Sequence, residues 1–229
     1  MKAALKSRVE LELDRLALDP YCKFYLPLWK LDGDSFMSKD AYGHLCTNYG
    51  SIWTPQGRSF DGVDDYVDCG NKPSLDITDA ITVEAWVRPS SDPDAYSHLV
   101  AKGHTEAYNL QWEASTANNP ILFLIKPVGE SYVTTDMVGS LSINIWAQLV
   151  GTYDSATGLL KLHQDGKLLT TKSIGAGKKI DTTTTSLKIA DDGSPGGFPG
   201  LIGEVRIYNH ALTPQEILDH YIIGKEMFG

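Results

Sequence analysis

The chain has 229 residues, of which 42% are hydrophobic and 10% aromatic, and its formal net charge is −9. This composition allows a single folded domain and excludes a chain that is disordered throughout. The negative charge disfavours nucleic acid and anionic membrane surfaces as partners, because both repel it. No apolar run approaches the roughly 18 residues of a membrane-spanning helix, so we expect no membrane insertion.

The first segment, residues 2–17, has the apolar spacing of an amphipathic helix. Pro20 limits this helix, because a proline pushes the residue before it out of the helical region. We therefore predict that residues 1–20 form a helical arm, which packs on its own domain, on copies of itself or on a larger assembly. Its charged residues do not fit a secretion signal. Four apolar residues recur at steps of four, four and three on one face of this helix: Leu5, Val9, Leu13 and Leu16.

Beyond the arm, the sequence changes to many short strands separated by turn-forming residues. Residues 81–89 (ITVEAWVRP) alternate apolar and polar side chains, as expected for a strand with one buried face. Asp165-Gly166 predicts a hairpin, because glycine accepts the positive φ of a type I′ turn. Short strands at roughly even spacing predict an all-β fold, a two-sheet antiparallel jelly-roll sandwich, over residues 21–229.

A short helix is predicted near the end of the chain, over residues 212–221. Thr213 precedes Pro214 and stands three positions before Glu216, which is the pattern of a capping box with proline in the first helical position. The predicted fold is therefore a β-sandwich with an N-terminal helix and a short C-terminal helix.

The chain has three cysteines, and their number and spacing carry information about redox state. They contain no CxxC pair, and an odd number cannot all pair within one chain. We therefore expect reduced, half-buried thiols, as in a reducing compartment. The cysteines are Cys22, Cys46 and Cys69.

Four segments follow one another in a recognisable order. The first includes the turn FDGVDDY, the second is ITVEAWVRP, the third includes GTYDSATGLLKLHQDG, and the last includes GEVRIYN. Together they resemble the laminin-G-like branch of the concanavalin A-like jelly-roll family, over about residues 21–222. The resemblance implies a jelly-roll fold and a lectin-like, non-catalytic binding role. The segments are residues 23–70, 81–89, 145–169 and 200–217.

The same resemblance implies a candidate calcium site. In calcium-binding members of the family, a carboxylate in the FDGVDDY turn and one in the last strand are typical ligands, and the matching residues here are Asp61 and Glu204. Gly203 stands where an acidic residue is commoner. The alternative is that Asp61 caps the turn by accepting backbone N–H bonds. Two other acidic loop segments allow either an ion ligand or a plain turn: Asp40 and Asp191-Asp192-Gly193.

A sugar-binding surface needs exposed aromatic rings beside polar hydrogen-bonding groups. Five residues on predicted loops meet that need as candidate ligand-binding residues, and the alternative for each is a structural position. For catalysis, the sequence contains no Glu-x-Asp-x-Glu, GxSxG, P-loop or HExxH motif. We therefore predict no catalytic residues. The five candidates for ligand binding are Tyr96, His98, His104, Tyr108 and Tyr132.

The preferred hypothesis is a lectin-like module on a virion surface, a decoration or fibre-associated protein that binds a glycan or another polymer. The opening block FYLPLWKLDGDSF is similar to segments of proteins associated with phage genomes. Residues 1–20 would dock on capsid proteins, and the subunits would form a homo-oligomer. The alternatives are a purely structural capsid-decoration protein, an extracellular or cell-surface location, and a polysaccharide hydrolase or lyase whose carboxylates meet only in space.

Overall fold

The computed structural model describes residues 2–93, 96–114, 118–190 and 197–229, and of residues 2–7 it describes the backbone alone. The candidate ion ligands Asp191-Asp192-Gly193 lie outside the described residues. Neither of the two long helices in the described ranges is long and apolar enough to cross a membrane.

The elements follow one another along the described chain in the order helix, strands, helix, with one 3-10 turn at Pro73–Leu75. The helices are α1 (Lys2–Leu16) and α2 (Pro214–Phe228). The strands are β1 (Cys22–Pro27), β2 (Ser35–Met37), β3 (Leu45–Tyr49), β4 (Ile52–Thr54), β5 (Gly57–Asp61), β6 (Tyr66–Asp68), β7 (Ala80–Pro89), β8 (Tyr96–Lys102), β9 (Tyr108–Glu113), β10 (Ile121–Ile125), β11 (Val133–Thr134), β12 (Ala147–Asp154), β13 (Leu159–Gln164), β14 (Lys167–Ser173), β15 (Leu187–Ile189) and β16 (Pro199–Tyr208).

The strands form two antiparallel sheets of eight strands each. Sheet A has the order β14-β13-β12-β7-β16-β5-β4, and β1 also pairs with β16. Sheet B has the order β11-β10-β9-β8-β15-β6-β3-β2. The two sheets pack face to face around one large apolar core. The predicted two-sheet jelly-roll sandwich is confirmed.

The main core lies between the sheets and takes roughly every second side chain of each strand. Close contact between the sheets depends on small residues at some positions. A Cβ on Gly151 of β12 would lie 2.2 Å from the ring of Phe123 on β10, so glycine permits this approach. On β7 the inward residues are those that the alternation predicted: Ile81, Val83, Ala85 and Val87.

Two local predictions are confirmed at the ends of elements. Asp165 and Gly166 connect β13 to β14 with φ values of 52° and 74°, as a type I′ turn requires. At the start of α2, the hydroxyl of Thr213 accepts from the Glu216 N–H, and the Glu216 carboxylate accepts from the Thr213 N–H at 2.7 Å. This is the predicted capping box.

The second helix is longer than the predicted segment 212–221, because it continues to Phe228. Gly224 lowers the helical propensity of the extension, and tertiary packing compensates for it. The indole ring of Trp86 lies against Gly224, where a Cβ would come within 2.5 Å of the ring. A larger residue at this position would push α2 away from sheet A.

Both helices lie on the outer face of sheet A and create a second apolar core there. Val9 and Leu13 of α1 are buried with Trp29, Trp86 and Phe228. For these described residues, the apolar stripe of the arm therefore packs on its own sandwich, which is one of the three alternatives that the sequence left open.

Charged side chains lie beneath the two helices in an ion-paired layer. Arg206 of β16 pairs with Glu204 on the same strand and donates to the Leu13 carbonyl of α1 at 3.0 Å. The carboxylate of Glu84 on β7 accepts a hydrogen bond from Nδ1 of His220 on α2 at 2.8 Å. The outer side of β7 was expected to face solvent, and this expectation is wrong because the helices cover it.

His163 of β13 belongs to the same face of sheet A, opposite Val150 of β12, and is 2% exposed. Burial lowers the pKa of this imidazole from 6.5 to about 4, and the charge of Lys161 acts in the same direction. The unfolded chain therefore takes up a proton near pH 6.5 that the folded chain accepts only near pH 4.

We predict that the burial of His163 lowers the free energy of unfolding as the pH falls from about 6.5 to about 4. Between pH 7 and pH 4.5 this single group should remove about 2–3 kcal/mol of unfolding free energy. Urea unfolding of the wild type and of His163→Leu over this pH range measures the effect as a change in the difference between the two proteins. A difference that is independent of pH would contradict the assignment.

Candidate functional site

Because both helices lie on sheet A, the outer face of sheet B is the open face of the sandwich. On this face Tyr49 of β3 and Tyr66 of β6 are direct partners, and their rings stack with centroids 4.5 Å apart and an interplanar angle of 14°. The ammonium group of Lys188 on β15 lies 4.7 Å from the Tyr66 ring centroid. We call Tyr49, Tyr66 and Lys188 together the tyrosine stack. Tyr49 forms one end of the stack and is 45% exposed.

A second group on the same face is the histidine cluster, formed by His98, His104, Asn109 and Gln111. The turn between β8 and β9 folds back so that the His104 ring meets the His98 ring edge-on, with centroids 4.8 Å apart. The Asn109 amide donates to Nδ1 of His98 at 2.7 Å and to the His104 carbonyl at 3.2 Å. Nε2 of His98 lies 3.2 Å from Nδ1 of His104.

Strand register places the two groups in one row across sheet B. Lys188 of β15 pairs with Asp68 of β6 on one side and with Ala101 of β8 on the other. From these pairs it follows that Tyr66 of β6 and His98 of β8 lie at similar positions along the strand direction, on either side of β15. At about 4.8 Å per strand, the distance from β3 to β9 is roughly 19 Å. We call the tyrosine stack and the histidine cluster together the outer row.

An acidic turn joins β5 to β6 directly beside the tyrosine stack. Asp61, Asp64 and Asp65 each offer a carboxylate oxygen, and these oxygens lie within 4.8 Å of one another. Asp61 also accepts from the Val63 N–H at 2.8 Å, so the turn-capping role left open by the sequence is present. Asp65 accepts from the Asp61 N–H at 2.9 Å, which folds the turn back on itself.

The electrostatics of the acidic turn fit a cation. Burial raises the pKa of Asp65, and the like charges of Asp61 and Asp64 raise it further. A divalent ion would relieve this repulsion, and carboxylate oxygens are the donors that calcium prefers. Gly50 follows Tyr49 and makes room for the turn, because a Cβ there would lie 1.8 Å from Oδ1 of Asp65.

The structure distributes the five predicted ligand-binding residues over three places. Tyr96, 47% exposed, lies with His104 at a ring-centroid distance of 6.3 Å, and His104 contacts His98. These three residues come together on the outer face. Tyr132 is exposed beside β11, at the edge of sheet B.

The predicted loop position of Tyr108 is wrong. It lies in β9, is fully buried in the main core, and donates its hydroxyl to the Leu75 carbonyl at 3.1 Å. The strand begins at this residue, and the side chains of Asn109 and Gln111 take the outward positions instead. Tyr108 is therefore a core residue and cannot reach a ligand on the surface.

The two predicted metal ligands are not brought together. Asp61 pairs with Pro199, whereas Glu204 lies about 16 Å further along β16, opposite Trp86. Glu204 is 1% exposed and is held by Arg206 beneath the helices. The prediction that Glu204 shares an ion with Asp61 is therefore wrong.

The glycine before Glu204 also has a structural reason. A Cβ on Gly203 would lie 2.4 Å from the ring of Phe228, so α2 excludes the acidic residue that commoner family endings carry here.

Asp40 has the turn role that was the alternative to ligating an ion. Its carboxylate accepts from the Tyr42 N–H at 2.8 Å and from the Tyr25 N–H at 3.0 Å, which is an Asx-turn tied to β1. The hydrogen bond from His44 is among the interactions that lower the pKa of Asp40 to about 2, against the effect of burial.

Sequence reasoning missed five residues of the outer row: Tyr49, Tyr66, Lys188, Asn109 and Gln111. For the last two a signal was present, because Asn109 and Gln111 alternate with Tyr108, Leu110 and Trp112 along YNLQWE, and such alternation separates two faces. For the two tyrosines no local signal exists, since strand pairing alone brings them into contact.

Comparison with known proteins agrees with this architecture. The family described as the concanavalin A-like lectin/glucanases superfamily matches residues 61–218, which is more than half of the chain. The chain belongs to this superfamily. No curated protein sequence matches it.

Solved structures with the same fold share little sequence with it. The ligand-binding domain of botulinum neurotoxin serotype D, in complex with N-acetylneuraminic acid, has a TM-score of 0.68 at 12% identity over 88% of this chain and 50% of that chain. Trypanosoma rangeli sialidase in complex with sialic acid has a TM-score of 0.64 at 15% identity, over 97% of this chain and 38% of that chain. This chain spans about half the length of the neurotoxin domains.

A third structure is matched over nearly its whole length. Domain 4 of AbnA, a GH43 extracellular arabinanase from Geobacillus stearothermophilus, in complex with arabinotriose, has a TM-score of 0.61 at 15% identity over 86% of this chain and 97% of that chain. At such low identities the likeness establishes the fold alone.

We predict that Glu204 acts in folding and not in ligand binding. Glu204→Ala leaves Arg206 buried without its carboxylate partner, which should lower the free energy of unfolding by about 3–5 kcal/mol. The exposed pair of Glu12 and Arg15 provides a matched control, since Glu12→Ala should change stability by less than about 0.5 kcal/mol. Urea unfolding measures both, and equal small effects would contradict the prediction.

Proposed function

We propose that this protein is a non-catalytic, lectin-like module that binds a glycan along the outer row of sheet B. The observation that carries the proposal is that the exposed ring of Tyr49 and the exposed imidazole of His104 share the face of sheet B that neither helix covers. The other members of the histidine cluster, His98, Asn109 and Gln111, are buried. Sugars present apolar C–H faces and polar hydroxyl edges, so they need both kinds of group side by side.

Each part of the row has a distinct role in the proposal. The free face of Tyr49 stacks on a sugar ring, and Lys188 donates to hydroxyl or carboxylate oxygens beside it. Tyr96 and His104 contact a further sugar unit, while the buried His98 holds the His104 ring in place. The roughly 19 Å between β3 and β9 suits an oligosaccharide better than a single sugar. Tyr132, at the sheet edge, is proposed as a peripheral contact.

Known glycan complexes on the same fold support the proposal. The similar structures include complexes with N-acetylneuraminic acid and arabinotriose. The class of sugar for this chain stays open between acidic and neutral ligands, and the same binding experiment separates them.

The neighbouring buried carboxylates of sheet A do not favour a hydrolase. Glu84 and Glu204 stand on neighbouring strands, but both are about 1% exposed and each has a buried cationic or hydrogen-bonding partner. A glycosidase needs its two acids on either side of an accessible bond. The proposed role is therefore binding without turnover.

The second component of the proposal is attachment to a larger particle, a virion or a cell surface, through residues 1–20. The inward side of α1 is used for packing on sheet A. Leu11 on its outward side is 64% exposed, and Leu18, in the turn after the helix, is 80% exposed. Exposed leucines in a segment that is already packed on its other side support a docking role for residues 1–20.

We predict that the tyrosine stack carries part of the glycan affinity. Tyr49→Ala should weaken binding about three- to tenfold, because aromatic stacking contributes on the order of 1 kcal/mol. Isothermal titration with arabinotriose and with N-acetylneuraminic acid, preceded by a glycan array, measures the effect. Tyr21→Ala is the matched control, since Tyr21 is 53% exposed and contacts His210 away from sheet B. Unchanged affinity in Tyr49→Ala, His104→Ala and Tyr96→Ala would rule out the outer row.

We propose in addition that the acidic turn binds calcium. For a weak surface site, 10 mM calcium should raise the melting temperature by about 3–8 °C. Asp64→Asn should abolish the rise, whereas Asp219→Asn, an exposed acid on α2, should retain it. Differential scanning calorimetry with calcium and with EDTA measures this. If calcium leaves the melting temperature of the wild type unchanged, the acidic turn does not bind calcium.

A further inference from the structure

Two of the three cysteines face each other inside the sandwich. β3 and β6 are antiparallel neighbours whose ladder ends with Thr47 opposite Asp68, so Cys46 and Cys69 occupy the next position beyond its end. Directly opposite residues in an antiparallel sheet have Cα atoms about 4.5–5.5 Å apart. Disulfide-bonded cysteines have Cα atoms about 4.4–6.8 Å apart, so this register meets the requirement without movement of the backbone.

The side chains of this pair point the same way. Cys46 is fully buried and Cys69 is 1% exposed, and both belong to the main core between the sheets. Burial raises the pKa of the Cys69 thiol, and the neighbouring Cys46 thiol raises it further.

The third cysteine is set apart from this pair. Cys22 lies in the core between sheet A and the helices, with Tyr25 and Tyr208. Burial raises its pKa to about 12, and the other two cysteines lie in the main core between the sheets, so Cys22 has no cysteine partner in its own core. The odd number of cysteines therefore resolves into one facing pair and one isolated thiol.

We propose that Cys46 and Cys69 form an intrachain disulfide under oxidising conditions, while Cys22 stays a free thiol. The oxidant is a disulfide-bearing compound such as oxidised glutathione. One S–S bond forms between the two cysteines and the S–S bond of the oxidant breaks. The two sulfurs of the oxidant leave as thiols and take the two protons. All three cysteines are free in the structure, which corresponds to the reduced form.

The position of this bond gives it a consequence beyond its own strands. The closed loop contains β4, β5 and the acidic turn, and Tyr49 and Tyr66 stand on the same strand pair as the cysteines. The disulfide therefore ties together the segment that carries the two tyrosines of the tyrosine stack. The inference rests on strand register and burial and does not depend on glycan binding.

The test uses the full chain, reduced and unfolded and then refolded in glutathione buffer with the oxidised form in excess. The thiol count under denaturing conditions should fall from three to one, and the intact mass should fall by two hydrogens. Arg58 lies between the two cysteines, so a nonreducing tryptic digest should yield their two peptides linked. The melting temperature should exceed that of the reduced protein by about 5–10 °C.

Three variants serve as controls. Cys22→Ser should keep the linked peptides and show no free thiol, whereas Cys46→Ser and Cys69→Ser should each show two free thiols. Three free thiols in the refolded wild type, a linked peptide containing Cys22, or glutathione bound to either core cysteine would overturn the proposal. If a variant does not fold, the wild-type digest decides by itself.

Discussion

The ion-paired layer beneath the helices decides which surface of the molecule is open. Arg206 joins sheet A to α1 through Leu13, and Glu84 joins it to α2 through His220. A buried charge that loses its partner costs several kcal/mol, so both helices are held firmly on this face. Sheet A is thereby closed, and the outer face of sheet B is left as the extended surface on which side chains can meet a ligand.

The sandwich could be predicted from sequence because strand alternation reports which side chains share a face. Ile81 and Val83 were assigned to the core on that basis, and they lie there. Alternation does not report what covers the opposite face. Glu84 and Trp86 have the polar-face positions of an exposed strand, but α1 and α2 bury them. The helices were predicted from their own patterns, whereas their place on the sandwich is a tertiary property.

The candidate site was predictable only where its residues are close in sequence. Tyr96, His98 and His104 lie on one strand and the turn after it, so they could be proposed together. Tyr49 and Tyr66 belong to different strands, and the ladder alone makes them neighbours. Tyr108 was wrongly assigned to the surface. It faces the core from β9, and a shift of one residue along a strand is enough to move a side chain from one face to the other. The prediction that Asp61 and Glu204 share a metal ion was wrong because the register along β16 places the two residues far apart.

The placement of α1 on sheet A has a consequence for how copies of this domain behave on a support. The helix and the outer row occupy opposite sides of the sandwich, so a copy held through α1 points its binding face away from the support. Neighbouring copies would then present parallel binding faces at high local concentration. A polymer with repeating sugars could engage several of them at once, and the combined avidity would exceed that of a single domain without any contact between the copies.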